Sequence, residues 1–246
     1  VIALMVICKN WIEVIFKKIF GLSIKSIKLR NGIIFIVGGT VPKADLSMLK
    51  EIWFDKVYTS KEIGINSTDI VFDIGANNGF FSVFVSKLAY RGKVFCFEPL
   101  PSLYNKIIKN IEINKTDNIV LENIAIAERE GSVDFFESKI HNGCHSLFRR
   151  SDTDNKIQVE AITLEKYVLN NNISQIDFLK MDCEGAEYGI LFSLSDDFLT
   201  HKIKKISLEY HDDVNEHNHK ELVDFLVNHN YKVLVKDGLI YALNNR

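Results

Sequence analysis

From residue 69 onward, short apolar runs alternate with amphipathic stretches, and this alternation most constrains the fold. Strands are read at 69–74 (DIVFDI), 93–98 (KVFCFE), 118–123 (NIVLEN), 177–182 (DFLKMD) and 204–211 (KKISLEYH). Helices are read at 79–90, 102–114, 186–193 and 215–230. Strands that are apolar on both faces belong in a parallel sheet covered by helices on each side. The closing YKVLVKDGLIYALNN reads as a hairpin turning at Asp237-Gly238, which adds antiparallel pairing. Two further strands, 132–138 and 156–163, border a polar loop at 139–155 that is expected to serve as a lid or substrate loop. The expected class is α/β.

The first 60 residues read as an appendage to a domain spanning 61–246. IKLRNGIIFIV (27–37) predicts a hairpin with Asn31-Gly32 as a two-residue turn. KADLSMLKEIWFDKVY (43–58) predicts a helix with Asp45 as N-cap. At the N-terminus the uninterrupted apolar run is eight residues, against about 20 needed to span a bilayer. Trp11, Ile12, Ile15, Phe16, Ile19 and Phe20 suit one helix face. Docking of that face on the rest of the protein or on a partner is ranked above peripheral membrane contact through residues 1–20.

Composition narrows the function classes. The net charge of −2 gives no overall pull toward nucleic acid. Cys8, Cys96, Cys144 and Cys183 form no C-x-x-C pair, so a reduced, cytoplasmic setting is the simplest expectation. HNGCH (141–145) offers His141, Cys144 and His145, but without a fourth ligand it reads as a polar loop rather than a zinc site.

VFDIGANNGFFS (71–82) stands where a strand hands over to a helix, the place at which open α/β sheets bind ligands. Gly75 and Gly79 let a ligand approach the backbone. That serves a nicotinamide dinucleotide or S-adenosylmethionine. The dinucleotide fingerprint is G-x-G-x-x-G, and here Asn77 replaces the middle glycine. Asp73 adds a carboxylate that opposes a phosphate and suits an ammonium. Glu98, ending the next strand, is expected to accept ribose hydroxyls of either cofactor, and Asn123 and Ala125 to border an adenine ring.

With these residues placed, the sequence resembles the FkbM-like family of S-adenosylmethionine-dependent methyltransferases. The stretches that carry the resemblance are DIGANNGFFS (73–82), FEPLP (97–101), ENIAI (122–126), SL (146–147), DFLKMDCEGAE (177–187) and LEYH (208–211), within roughly 45–243. The resemblance implies a Rossmann-like class I fold, with seven strands of which one is antiparallel. It implies methylation of oxygen on sugars, glycans or natural products, hence a small-molecule or saccharide acceptor. It adds Ser82 to the cofactor turn, and Glu51 and Tyr58 as the family's E…Y pattern before the sheet.

On that fold Asp182 ends the fourth core strand and points into the cleft, with Glu184 beyond it and Glu209 and His211 at the next strand tip. A hydroxyl acceptor needs a base, for which His211 has the suitable ordinary pKa and Asp182 is the alternative. Direct acid–base chemistry is ranked above a divalent cation held by Asp182, Glu184 and His211, so no metal is expected. Glu187 is read as opening a short helix. Two other functions are weighed: an NAD(P)-dependent oxidoreductase, opposed by Asp73 and the missing glycine, and a non-catalytic nucleotide-binding or membrane-associated module, opposed by the acidic rim.

Overall fold

The computed structural model describes residues 2–37, 43–59, 63–138, 145–212, 214 and 216–246. The chain opens with α1 (Ile2–Ile7), α2 (Trp11–Ile19) and a hairpin of β1 (Ser26–Lys28) and β2 (Ile34–Ile36). Next, α3 (Lys43–Lys50) widens into a π-helical turn, Glu51–Asp55, which Lys56 ends in the left-handed region. Then follow β3 (Ile70–Ile74), α4 (Phe80–Leu88), β4 (Lys93–Phe97), α5 (Pro101–Asn114) and β5 (Ile119–Glu122). A side sheet comes from β6 (Ala125–Ile126), β7 (Gly131–Glu137) and β8 (Asn155–Ile162). The remainder is α6 (Leu164–Asn170), β9 (Phe178–Met181), α7 (Glu187–Phe192), α8 (Asp196–Lys202), β10 (Lys205–Glu209), α9 (His219–Asn228), β11 (Tyr231–Lys236) and β12 (Leu239–Asn244).

The main sheet has the order β11-β12-β10-β9-β3-β4-β5, and every neighbouring pair is parallel except the two made by β12. This is the expected sheet of seven strands with one reversed, and the α/β class holds. The break in order between β9 and β4, on either side of β3, is the crevice where such sheets take their ligands.

Side chains alternate across the sheet at period two. Phe72, Ile74, Leu179, Met181, Ile206 and Leu208 join α6 to α9 in one core. Val71 and Phe178 point the other way, into a core shared with α4 and the N-terminal residues. Asp73, Lys180 and Asp182 lie on that second face because each stands two residues from a neighbour on it. The site therefore forms between the sheet and the N-terminal layer.

That layer is knitted into the domain. Cys8, Val14, Ile24, Phe35 and Leu49 are buried in the same core as Val71, Phe84 and Tyr241. Asn114 of α5 accepts from Ile34 N–H at 2.9 Å and donates to Ile34 O at 2.7 Å, acting as a further rung beside β2. The expected boundary near residue 60 falls on 60–62, outside the described residues.

Three expectations for this layer change in detail. The hairpin turns through Arg30–Gly32, with Leu29 N–H bonded to Ile33 O and Gly32 at φ 91°, a three-residue loop in place of a two-residue turn. The helix over 43–58 stops early because the π-turn ends at a left-handed Lys56. On α2 the one fully buried side chain is Val14, while Ile12, Phe16 and Ile19 on the opposite face are exposed. Of the expected face, Trp11 packs on the core and Ile15 is half-buried, so only its outer edge, Ile12, Phe16, Ile19 and Phe20, is left undocked on the protein.

Candidate active site

The β3–α4 turn is built on close backbone approach. Gly75 sits at φ 76°, and a Cβ there would lie 2.0 Å from the Asp182 carbonyl oxygen. Only glycine fits a backbone that is both left-handed and in contact with the neighbouring strand end. Asn77 follows at φ 54°, and its N–H donates to Glu98 Oε2 at 2.8 Å. Gly79 caps α4 at φ 73°, where a Cβ would press on the Ile107 side chain at 3.1 Å.

Asp73 lies one step deeper and is fully buried. Its carboxylate accepts from Ser82 Oγ at 2.6 Å and pairs with Lys180 Nζ at 3.1 Å. Lys180, also buried, donates to Gly75 O at 2.9 Å. Burial lowers its pKa, but the charges of Asp73 and Asp182 outweigh burial and raise it. Asp73 was expected to anchor a cofactor ammonium. In the structure it is turned to an ammonium of the chain itself, and neither it nor Ser82 lines the cavity. Both shape the turn from behind.

At the strand tips, Tyr58 reaches over from the N-terminal layer. Its hydroxyl lies 2.8 Å from Asp182 Oδ2 and 3.2 Å from Glu209 Oε2. Burial and the charge of Asp182 push Glu209 up to about 7. Lys180 Nζ sits 5.3 Å from the centre of the Tyr58 ring. Glu51, the other half of the E…Y pattern, is exposed on the π-turn and accepts from Ser47 Oγ at 2.8 Å. The left-handed Lys56 turns the chain after the π-turn, so that Tyr58 enters the site while Glu51, still on the π-turn, faces solvent outside it.

A second cluster surrounds His211. Buried Glu187 accepts from Cys183 N–H at 2.7 Å and Gly185 N–H at 2.9 Å, and faces His211 Nδ1 at 3.2 Å. His211 Nε2 is 3.5 Å from Glu184 Oε2, which also receives Arg150 at 2.8 Å. Burial lowers the His211 pKa, but Glu187, Asp182 and Glu184 together raise it to about 9. His211 therefore carries its proton at neutral pH, contrary to the expectation of a free base. Glu187 does more than open α7, because its carboxylate ties the 183–185 turn to the imidazole. Burial raises Glu184 to about 7.

Ligand atoms of Asp182, Glu184 and His211 lie within 4.8 Å of one another, close enough to share a cation. The Arg150 guanidinium and the His211 proton already supply positive charge to that group.

A cavity opens in front of these tips. Its walls include Gly75, Asn77, Phe97, Leu103, Ala125 and Leu147, together with His145. Glu98, Asp182 and Glu184 also line it, and among the described residues no lysine or arginine does. An apolar slot with carboxylates and no cation fits a positively charged adenosyl donor and opposes a diphosphate. Glu98 Oε1 accepts from Leu100 N–H at 2.9 Å, and burial raises its pKa to about 7. Asn123 is exposed and donates to Glu98 O and Pro99 O, so it braces the Glu98 turn rather than edging the slot.

Three contributors were missed by sequence reasoning or read otherwise. Lys180 looks like an interruption in an apolar strand, and only the register shows it opposite Asp73. Arg150 and His145 come from the polar loop. His145 lines the cavity, and its Nδ1 accepts from Ser138 N–H at 3.1 Å. His141 and Cys144 fall outside the described residues. Ser146 Oγ ties the loop to Glu184 O at 2.7 Å. A second cavity of about 480 Å³ adjoins the first at Leu147 and Ala186, with Phe136, Phe148 and Tyr188 among its walls.

Known proteins resemble this chain in sequence and in fold. A 31-O-demethyl-FK506 methyltransferase, FkbM, of Streptomyces tacrolimicus is 23% identical over 225 residues, covering 79% of this chain and 85% of that protein. The AMB antimetabolite synthetase AmbE of Pseudomonas aeruginosa is 26% identical over 236 residues, covering 80% of this chain, which spans 11% of the synthetase's length. Among solved structures, M. capricolum TrmK in complex with S-adenosyl-homocysteine has a TM-score of 0.45 and 17% identity, covering 77% of this chain and 70% of that one. The methyltransferase FkbM domain matches residues 73–233, more than half of the chain, and the chain therefore belongs to the FkbM family of methyltransferases, whose methyl donor is S-adenosylmethionine.

Proposed function

We propose that the chain methylates a hydroxyl oxygen of a sugar, glycan or other natural product. The observation that carries this is the Asp182–Tyr58–Glu209 bridge at the cavity wall, a built acceptor for one proton. The name of the Streptomyces relative, a 31-O-demethyl-FK506 methyltransferase, specifies an oxygen and supports the same reading.

S-adenosylmethionine, when bound, supplies a methyl group already activated by its sulfonium. The chain's own task is alignment and proton removal. Gly75, Asn77 and Glu98 would hold the adenosyl part, Glu98 through oxygens that retain free lone pairs. The acceptor would enter through the second cavity, where aromatic walls pack its apolar faces. The methyl group would pass to the acceptor oxygen with loss of its bond to sulfur, leaving S-adenosyl-homocysteine, and Asp182 would take the hydroxyl proton. Tyr58 then links that carboxylate to Glu209, whose pKa of about 7 suits a shared proton. His211, held as an imidazolium by Glu187, offsets the negative charge of Glu184 beside the reaction.

The test uses methyl-labelled S-adenosylmethionine and a panel of sugars, glycans and hydroxylated natural products, with products located by NMR. A methyl ether as product is expected. Label appearing on nitrogen or carbon, with no ether formed from any acceptor, overturns the assignment.

A further inference from the structure

Half of the exposed large apolar side chains among the described residues lie in one short segment. Eight of the sixteen fall within residues 2–22. On α2, Ile12, Phe16 and Ile19 recur at i, i+4 and i+7, so they form one stripe along the helix. The stripe continues into Phe20 and Leu22, and the Phe16 and Phe20 rings meet at 4.6 Å. Val14, on the opposite face, is fully buried, whereas Ile19 is 72% exposed. The helix is already anchored through its other side. Its stripe is surplus to the fold.

The charge around this stripe is one-sided. Residues 2–37 hold Lys9, Lys17, Lys18, Lys25, Lys28 and Arg30 against a single acid, Glu13, in a chain of net charge −2. Glu13 is itself paired with Lys17 at 2.9 Å. An outward apolar stripe flanked by lysines is the pattern of a helix lying in the plane of a membrane surface. There the apolar face enters the acyl boundary and the lysines meet anionic headgroups. A second copy of the chain fits less well, because the same set of cations would face itself. Among the described residues no helix is long and apolar enough to cross a membrane.

We propose that residues 2–25 dock the protein on an anionic phospholipid surface, with the Ile12–Phe16–Ile19 stripe inserted. This surface lies on the layer that also serves the catalytic cleft. α1 packs against the π-turn Glu51–Asp55, and Tyr58 follows that turn into the site.

The experiment is co-sedimentation of the purified full chain with vesicles of mixed phosphatidylglycerol and phosphatidylcholine, and with phosphatidylcholine alone. Binding at least ~10-fold tighter to the mixed vesicles is expected, weakening as salt is raised. Phe16→Asp with Ile19→Asp should lower binding to both vesicle types by ~10-fold or more. Lys17→Glu with Lys18→Glu should remove the preference for the anionic vesicles. Phe16, Lys18 and Ile19 are exposed and Lys17 is partly so, and unchanged melting would confirm that the variants fold. Sedimentation velocity without lipid supplies the competing outcome. A wild-type dimer that the aspartates dissociate, with no vesicle binding, would assign the stripe to a second copy and overturn the proposal. A monomer that binds neither vesicle type overturns it as well.

Discussion

Lys180 of β9 and Asp73 of β3 stand opposite each other in the parallel register and close a buried ion pair at 3.1 Å, directly beneath the cofactor turn. The pair links three parts of the site. Lys180 also holds Gly75 O and sits 3.9 Å from Asp182. The sequence places Asp73 two residues before the first glycine, but its partner is contributed by a strand more than a hundred residues later.

Breaking this pair on one side leaves a buried charge alone. Lys180→Met is expected to lower unfolding free energy by ~3–5 kcal/mol, measured in denaturant. Asp73→Asn should act in the same direction. The double variant Asp73→Asn with Lys180→Met should recover part of the loss, because neither charge then remains. Additive losses would show that the two residues stabilise the fold separately.

Tyr58→Phe removes one hydroxyl and keeps the ring against Phe81, which it meets at 5.4 Å. The fold should therefore survive. The bridge between Asp182 and Glu209 is lost, and kcat should fall ~10- to 100-fold with little change in affinity for S-adenosyl-homocysteine. Equal losses in both would make Tyr58 a binding residue instead.

Glu98→Gln tests the adenosyl slot. The amide keeps the shape but cannot accept at both ends, and one of its two backbone bonds, from Asn77 or Leu100, is lost. Calorimetry should show S-adenosyl-homocysteine binding weakened ~10-fold or more. Unchanged affinity would place the ribose elsewhere.

The pH dependence of stability has a definite sign. Glu98, Glu184 and Glu209 titrate near 7 in the folded chain against an ordinary 4.5. The folded state thus holds these protons more tightly, and stability falls as pH rises from about 4.5 to 7. His211 rises from 6.5 to about 9, so its contribution is fully present below 6.5 and is lost as pH passes 9. Both effects run the same way. The ligand-free protein should melt at a higher temperature near pH ~5.5 than near pH ~9. A melting temperature that rises across that range would mean the acidic cluster is more solvated than its burial indicates.

Much of this architecture is legible in the sequence, for identifiable reasons. Strands such as VFDI and FLKM are apolar on both faces, which marks them as central, and the glycines after β3 mark the ligand turn. Helices α6 and α8 were overlooked although each carries an N-cap. Thr163 accepts from Lys166 N–H, and Ser195 accepts from Phe198 N–H. Each has only seven residues, too few for a helical period to stand out. What the sequence could not show is register. The Lys180–Asp73 pair depends on which strand positions lie side by side, while the exit of Glu51 to solvent and the capture of His211 by Glu187 depend on how the π-turn and the start of α7 are set against the strand ends.

The shared core behind Tyr58 has a consequence for how the molecule is made. Residues near the start of the chain, such as Val14 and Phe35, belong to a core with Phe178, Leu239 and Tyr241. On the ribosome Val14 and Phe35 emerge about 200 residues before Leu239 and Tyr241, so their oily sides must wait for those partners. Contacts between such distant parts slow folding. A nascent chain stalled before β12 would therefore keep its amino-terminal layer unsealed and open to chaperones.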